Sequence, residues 1–313
     1  MKINTLGWLL AVTALASATT IVACSQAAVQ CQAGHTGLGL APVDLGFTTR
    51  YYPVGTPGAA CVLPGDLIGF ETYHPPGGGE DGTQPDFSVP SGVAFKTNAL
   101  GDLIAAMADK GSVDPEGTNH ENDDGTHVLA KHPAYSLGKF STIEPVDDFC
   151  KVDAPAPAVQ EFPRVAASGM DPEVPAMSVK YEWTDVKVYV TASAQGTQFS
   201  GHLKYTEDAC VAEYNVAGVW PTVPCGVDKD VDDGMGGTKT ISVPEDSLCC
   251  PSADPLGGRI VGSGINPDFP VKCDPNLLRC VLDTEDPTKL PVLKPGWDGS
   301  APQCKLTTDE PAK

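Results

Sequence analysis

The stretch "TQFSGHLKYTEDACVAEYNVAGVW", Thr197–Trp220, decides the fold class. In its first half Thr197, Phe199, Gly201, Leu203 and Tyr205 alternate with Gln198, Ser200, His202 and Lys204. A period of two with opposite character on the two faces marks a half-buried strand. After a tight turn around Glu207-Asp208 the pattern resumes, with Cys210, Ala212, Tyr214 and Val216 on one face. Upstream, Val179, Tyr181 and Trp183 share one parity and Val186, Val188 and Val190 the other, so a bulge or bend is expected near Thr184-Asp185. With Gly196 as the intervening turn, Ser178–Trp220 reads as a three-strand antiparallel meander.

Working outward, "GFTTRYY" (Gly46–Tyr52) and "LIGFETY" (Leu67–Tyr73) are further strand-like runs, separated by Gly and Pro clusters. One helix is expected at Ala99–Lys110, capped by Asn98 and ended by Gly111, with Leu100, Leu103, Ile104 and Met107 forming its apolar stripe. Lys151–Pro175 is dense in Pro and Ala and reads as a linker over residues 151–177. Beyond Pro221 the periodicity fades and six cysteines fall among many Pro, Gly and Asp. The expected architecture is therefore mainly β: an antiparallel sheet, small barrel or sandwich with one short helix and a disulfide-rich irregular C-terminal region tied onto the sheet. Its expected segments are a leader at 1–23, a β-rich region at 24–150, the linker, and a meander plus Cys-rich tail at 178–313.

The leader carries Lys2 and an apolar run, Leu6–Ala23, and is excluded from fold reasoning. Its end, "IVAC" (Ile21–Cys24), resembles the bacterial lipobox, which implies cleavage before Cys24 and lipidation there. Cleavage after "ASA" (Ala16–Ala18) and an uncleaved span are the alternatives. Ser25, where an Asp would resemble an inner-membrane retention signal, points to the outer membrane of the cell envelope.

Cysteine parity supports the same reading. Of 11 cysteines, removal of Cys24 leaves Cys31, Cys61, Cys150, Cys210, Cys225, Cys249, Cys250, Cys273, Cys280 and Cys304, an even set for disulfides in an oxidising compartment. No C-x-x-C pair suggests zinc. Three cysteines precede the linker and seven follow it, so full pairing requires a bridge between the two sides. Adjacent Cys249 and Cys250 are expected to bond different partners, since a ring between neighbours strains the peptide.

Net charge is −20 over 313 residues, which makes nucleic acid and anionic lipid surfaces poor partners and favours cations. "VDKDVDDGMGG" places Asp228, Asp230 and Asp232 at alternate positions, a candidate calcium loop, although an EF-hand would need Gly and Glu where Asp233 and Lys239 stand. "NHENDDGTHVLAKH" gathers His120, Glu121, Asp123, Asp124, His127 and His132, a candidate transition-metal set without the H-E-x-x-H spacing. "SLGK" (Ser136–Lys139) matches S-x-x-K without its companion motifs. Trp183, Tyr181, Trp220 and Trp297 are candidate glycan or peptide contacts, with core packing as the plainer role.

"VYVTASAQGTQFSGHLKYTEDAC", "GVWP" and "GSGINPDFPVKCDP" are similar to segments of lipoproteins from myxobacteria-like bacteria. That family brings no established activity, so the resemblance implies a compartment and no mechanism. The expectation is a lipid-anchored, non-enzymatic binding or structural module with a protein or glycan partner and no cofactor. Calcium-dependent binding is the alternative, and an envelope hydrolase a more distant one.

Overall fold

The computed structural model describes residues 29–33, 46–79, 81–121, 127–232, 234–294 and 304. In chain order its strands begin with β1 (Phe47–Pro53), β2 (Gly65–Tyr73), the short pair β3 (Pro76–Gly78) and β4 (Gln84–Pro85), and β5 (Gly92–Thr97). Helix α1 (Asn98–Asp109) follows, then β6 (His120–Glu121), β7 (His127–Val128), β8 (Ser136–Phe140), β9 (Phe149–Ala156) and β10 (Ala158–Phe162). The long strands β11 (Met177–Val190), β12 (Gln195–Glu207) and β13 (Cys210–Val219) come next. Last are β14 (Gly226–Asp232), β15 (Thr238–Pro244), β16 (Val271–Asp274) and β17 (Arg279–Leu282).

Nine of these strands form one sheet in the order β10-β11-β12-β13-β1-β2-β5-β8-β9, and β9 also pairs with β11. That extra pairing closes the sheet. Strands β9 and β10, interrupted at Pro157, lie along β11 as one long bent strand, with Val188 opposite Cys150 and Tyr181 opposite Ala158. Counted so, the sheet is an eight-stave antiparallel barrel in which each stave pairs with its neighbours in sequence and β13 returns to β1. Closure removes most of the sheet edge that would otherwise invite pairing with another chain, leaving the far side of β10 to be covered by another segment of this chain.

The expected meander is β11–β13. Its bulge falls where the parity changes: the register shifts between Thr184 and Lys187, and Asp185 has φ +53°. The shift lets Val179, Tyr181 and Trp183 face the same interior as Val186, Val188 and Val190. The expected linker is corrected, since Lys151–Phe162 belongs to staves β9 and β10 and only the exposed turn after it lies outside the sheet. Proline density hid the inward alternation of Val152, Ala158 and Phe162. Pro157 sits where the ladder is broken, a place where its missing N–H costs nothing. The boundary drawn at 151–177 therefore cuts through a single barrel.

Eight staves leave an interior that side chains can fill. Here Phe70 lies 5.1 Å from Phe47, 5.1 Å from Phe95 and 5.0 Å from Phe199, and Phe95 meets Trp183 at 5.6 Å. Such edge-on and offset contacts add about 0.5–1.5 kcal/mol per pair beyond area burial.

The two ends of the barrel differ. At the entry end, Cys31 N donates to Ile143 O, Ala33 N donates to Thr72 Oγ1, and Cys31 is bonded to Cys150. At the opposite, helix end, α1 sets Leu100, Leu103 and Ile104 against the interior. The expected cap by Asn98 is corrected. Asn98 is the first helical residue and its Nδ2 donates to Asp102, while Asp66 of β2 accepts from Ala99 N at 3.1 Å.

The C-terminal region leaves β13 at the entry end and packs on the outside of the barrel, against Tyr52, Tyr189, Ala217 and Val219. It explains why Gln198, expected to face solvent, is fully buried. Its amide donates to Val292 O and accepts from Val292 N, both at 3.0 Å. Elsewhere the outer face is charged: Glu182 lies between Lys180 and Lys204, and His202 faces Glu213. A bilayer-spanning barrel would carry an apolar band there. Among the described residues no helix is long and apolar enough to cross a membrane.

Five disulfides join Cys31–Cys150, Cys61–Cys210, Cys225–Cys273, Cys249–Cys280 and Cys250–Cys304. Cys61–Cys210 is the bridge across the former linker. The three C-terminal bridges close within that region, so the expectation that they tie it onto the sheet is corrected. Packing and hydrogen bonds hold it there.

Candidate functional site

Several sequence candidates separate once folded. Asp228, Asp230 and Asp232 stand on strand β14, not in a loop, opposite Ser242, Thr240 and Thr238. Asp228 accepts from Ser242 Oγ and Asp230 from Thr240 Oγ1. Alternate residues of a strand lie about 6.6–6.8 Å apart along the chain, whereas calcium ligands sit at about 2.3–2.6 Å from the ion. The three carboxylates are thus spread along a ribbon and do not converge. Ser136 and Lys139 are three apart on strand β8 and so project to opposite faces, which separates the S-x-x-K pair. Tyr181 and Trp183 are interior core. Cys24, Asp123, Asp124 and Trp297 lie outside the described residues.

The histidine-rich stretch fares differently. Backbone pairing sets His120 opposite Val128 and Glu121 opposite His127 on the small β6–β7 ribbon. Its last histidine, His132, is brought into a cleft of about 620 Å³ at the helix end, lined by Asp114, Glu116, Glu161, Phe162, Met177 and Asp208 among others.

Local structure builds this cleft step by step. Gly111, at φ +75°, turns the chain out of α1, and Ser112 Oγ donates to Pro163 O at 2.6 Å. The excursion then runs along the outer edge of β10. His132 N donates to Glu116 O, Gln160 Nε2 donates to His132 O, and Val159 N donates to Pro133 O. Gly117 is close enough that a Cβ would sit 3.1 Å from the buried Gln160 amide oxygen. Asp114 is the keystone: its carboxylate accepts from Glu116 N at 2.9 Å, Glu161 N at 2.6 Å and His132 Nδ1 at 3.1 Å. Its side chain is 1% exposed and that of His132 24%.

A carboxylate only accepts, so Nδ1 carries the proton in the bond to Asp114, and in the neutral ring Nε2 is the acceptor that faces the cleft. Nε2 stands 3.9 Å from Glu161 Oε1. The partners Asp114 and Glu161 lie 18 and 29 residues away along the chain, on opposite sides of His132. Only the imidazole was visible in the sequence; nothing local marks either carboxylate as its neighbour.

A second titratable group is buried beneath α1. Burial pushes Asp66 up to about 7, against the pull of the backbone N–H groups of Ala99 and Leu67. It is 9% exposed and forms part of the barrel wall.

An all-antiparallel, closed barrel with a packed interior and an acidic cleft at one end defines the class. Residues 45–221, the barrel and little else, match the family model MlpA. Since this is more than half of the chain, the protein belongs to the MlpA family. It is 38% identical over 141 residues to MlpA of Myxococcus xanthus, whose name describes a lipoprotein. The aligned part covers 45% of this chain and 47% of that relative, so the match spans about half the length of each. No solved structure matches the chain.

Proposed function

We propose that the protein is a lipid-anchored, non-enzymatic binding module of the cell envelope, held at the outer membrane through Cys24 and binding a protein or glycan at the helix-end cleft. One observation carries this reading. The barrel interior is filled by Phe47, Phe70, Phe95, Phe199 and Trp183, so recognition falls to the exterior, where the acidic cleft opens at the end opposite to residues 29–33. The family and the lipobox-like "IVAC" support the anchor.

The anchor is tested by fractionation. Cys24→Ser is expected in the soluble fraction, and continued membrane association would overturn it. For the cleft, purified cell-wall glycan and outer-membrane protein are titrated against the oxidised protein and a variant, Ala176→Trp, that puts an indole on a residue lining the cleft. Saturable binding lost in the variant supports the reading; chemical turnover of the ligand would move the protein among the enzymes.

A further inference from the structure

We propose that the cleft is a divalent transition-metal site in which His132 Nε2 and Glu161 are the protein ligands. The inference deepens the reading of the cleft as the binding face and rests on it. Metal-binding histidines commonly donate their other ring N–H to a carboxylate, which fixes the tautomer and makes the free nitrogen more basic. Asp114 does this for His132, and with three donors on it and 1% of its side chain exposed it orients the ring without itself ligating.

Glu161 is held in place by its own backbone, whose N–H is bound to Asp114. Its side chain is 60% exposed and can adjust. Bonds of about 2.0–2.2 Å from an ion to nitrogen and oxygen place the two ligand atoms about 3.4 Å apart in a tetrahedral site. The observed 3.9 Å therefore requires a wider angle at the ion or a small rotation of Glu161.

Charge favours a cation here. Glu116 and Asp208 also line the cleft, and Lys131, next to His132 in the chain, is engaged by Glu116 at 2.7 Å. Imidazole with carboxylate suits zinc, nickel or copper, whereas calcium and magnesium prefer an all-oxygen shell. Two protein ligands leave coordination positions open to water or to a carboxylate or imidazole of a partner. The metal would then join the module to its ligand.

The test uses the full chain carrying Cys24→Ser with its five disulfides oxidised, so that no thiol competes. Zinc chloride is titrated calorimetrically, and cobalt(II) by visible absorption. One ion per chain is expected. His132→Ala should abolish binding, Glu161→Gln weaken it, and Asp114→Asn lower affinity about ten- to a hundred-fold. Circular dichroism checks each fold, and His132→Gln replaces His132→Ala should the latter unfold. No binding at millimolar zinc, or one-to-one binding unchanged in His132→Ala, overturns the site. Envelope binding that vanishes in Ala176→Trp yet ignores EDTA would retain the binding face and overturn the metal. Zinc binding without any envelope ligand would do the reverse.

Discussion

The barrel and the C-terminal region are specified in different ways. From Phe47 to Val219 the chain states its fold through alternation, and apolar side chains from every stave meet in one interior. After Pro221 three disulfides hold two small strand pairs and a set of turns, around a second cluster built on Phe269, Val271 and Leu282. The MlpA match stops at the boundary between them. The barrel has two bridges of its own but also a periodic core to pack, while a region with short strands and few inward positions leans more heavily on its three cross-links. The C-terminal region is thus best regarded as a separately braced layer laid over one flank of the barrel.

That contrast can be broken at the barrel. Phe70 touches three other rings, and Phe70→Ala should cost about 3–5 kcal/mol, read as a lower denaturant midpoint for the whole chain. Removing a brace should act more locally. Cys249→Ser with Cys280→Ser opens a loop of 31 residues, worth about 3–4 kcal/mol. Hydrogen exchange should rise across 225–294 while β11–β13 remain protected; equal exchange in both regions would show that the two fold as one unit. The seam between them is Gln198. Gln198→Ala strands Val292 N and O, at a cost of about 1–3 kcal/mol, and should split one thermal transition into two.

The gentlest probe is pH. The folded-state value of Asp66 is raised to about 7, above an ordinary carboxylate. The folded protein therefore holds this proton more tightly than the unfolded chain. The associated stability is full below about pH 4 and lost as pH rises through about 7, with a slope of up to about 1.4 kcal/mol per pH unit. Asp66→Asn should flatten that slope in chemical denaturation between pH 4 and 8 and still accept from Ala99 N. An unchanged slope would place the titration elsewhere.

The meander was legible because Phe199, Leu203, Tyr205, Ala212, Tyr214 and Val216 alternate without interruption. Closure was not legible, because it depends on β9 and β10 reaching β11 through a run whose prolines resemble a linker. The burial of Gln198 was invisible because the covering residue, Val292, is 94 positions away. The same limit applied to the cleft. A histidine advertises itself, but the Asp114 carboxylate that orients it is one of 40 acidic residues, singled out only by the fold.

The pinning of Cys31 at the entry end has a consequence for how the protein would search. A chain of seven links, Cys24 to Cys31, extends at most about 25 Å. With a lipid on Cys24, the barrel would stay on a short leash, its cleft turned away from the bilayer. Encounters would then be made by lateral diffusion in a thin slab, and a ligand deeper in the envelope would have to come to the membrane to be met.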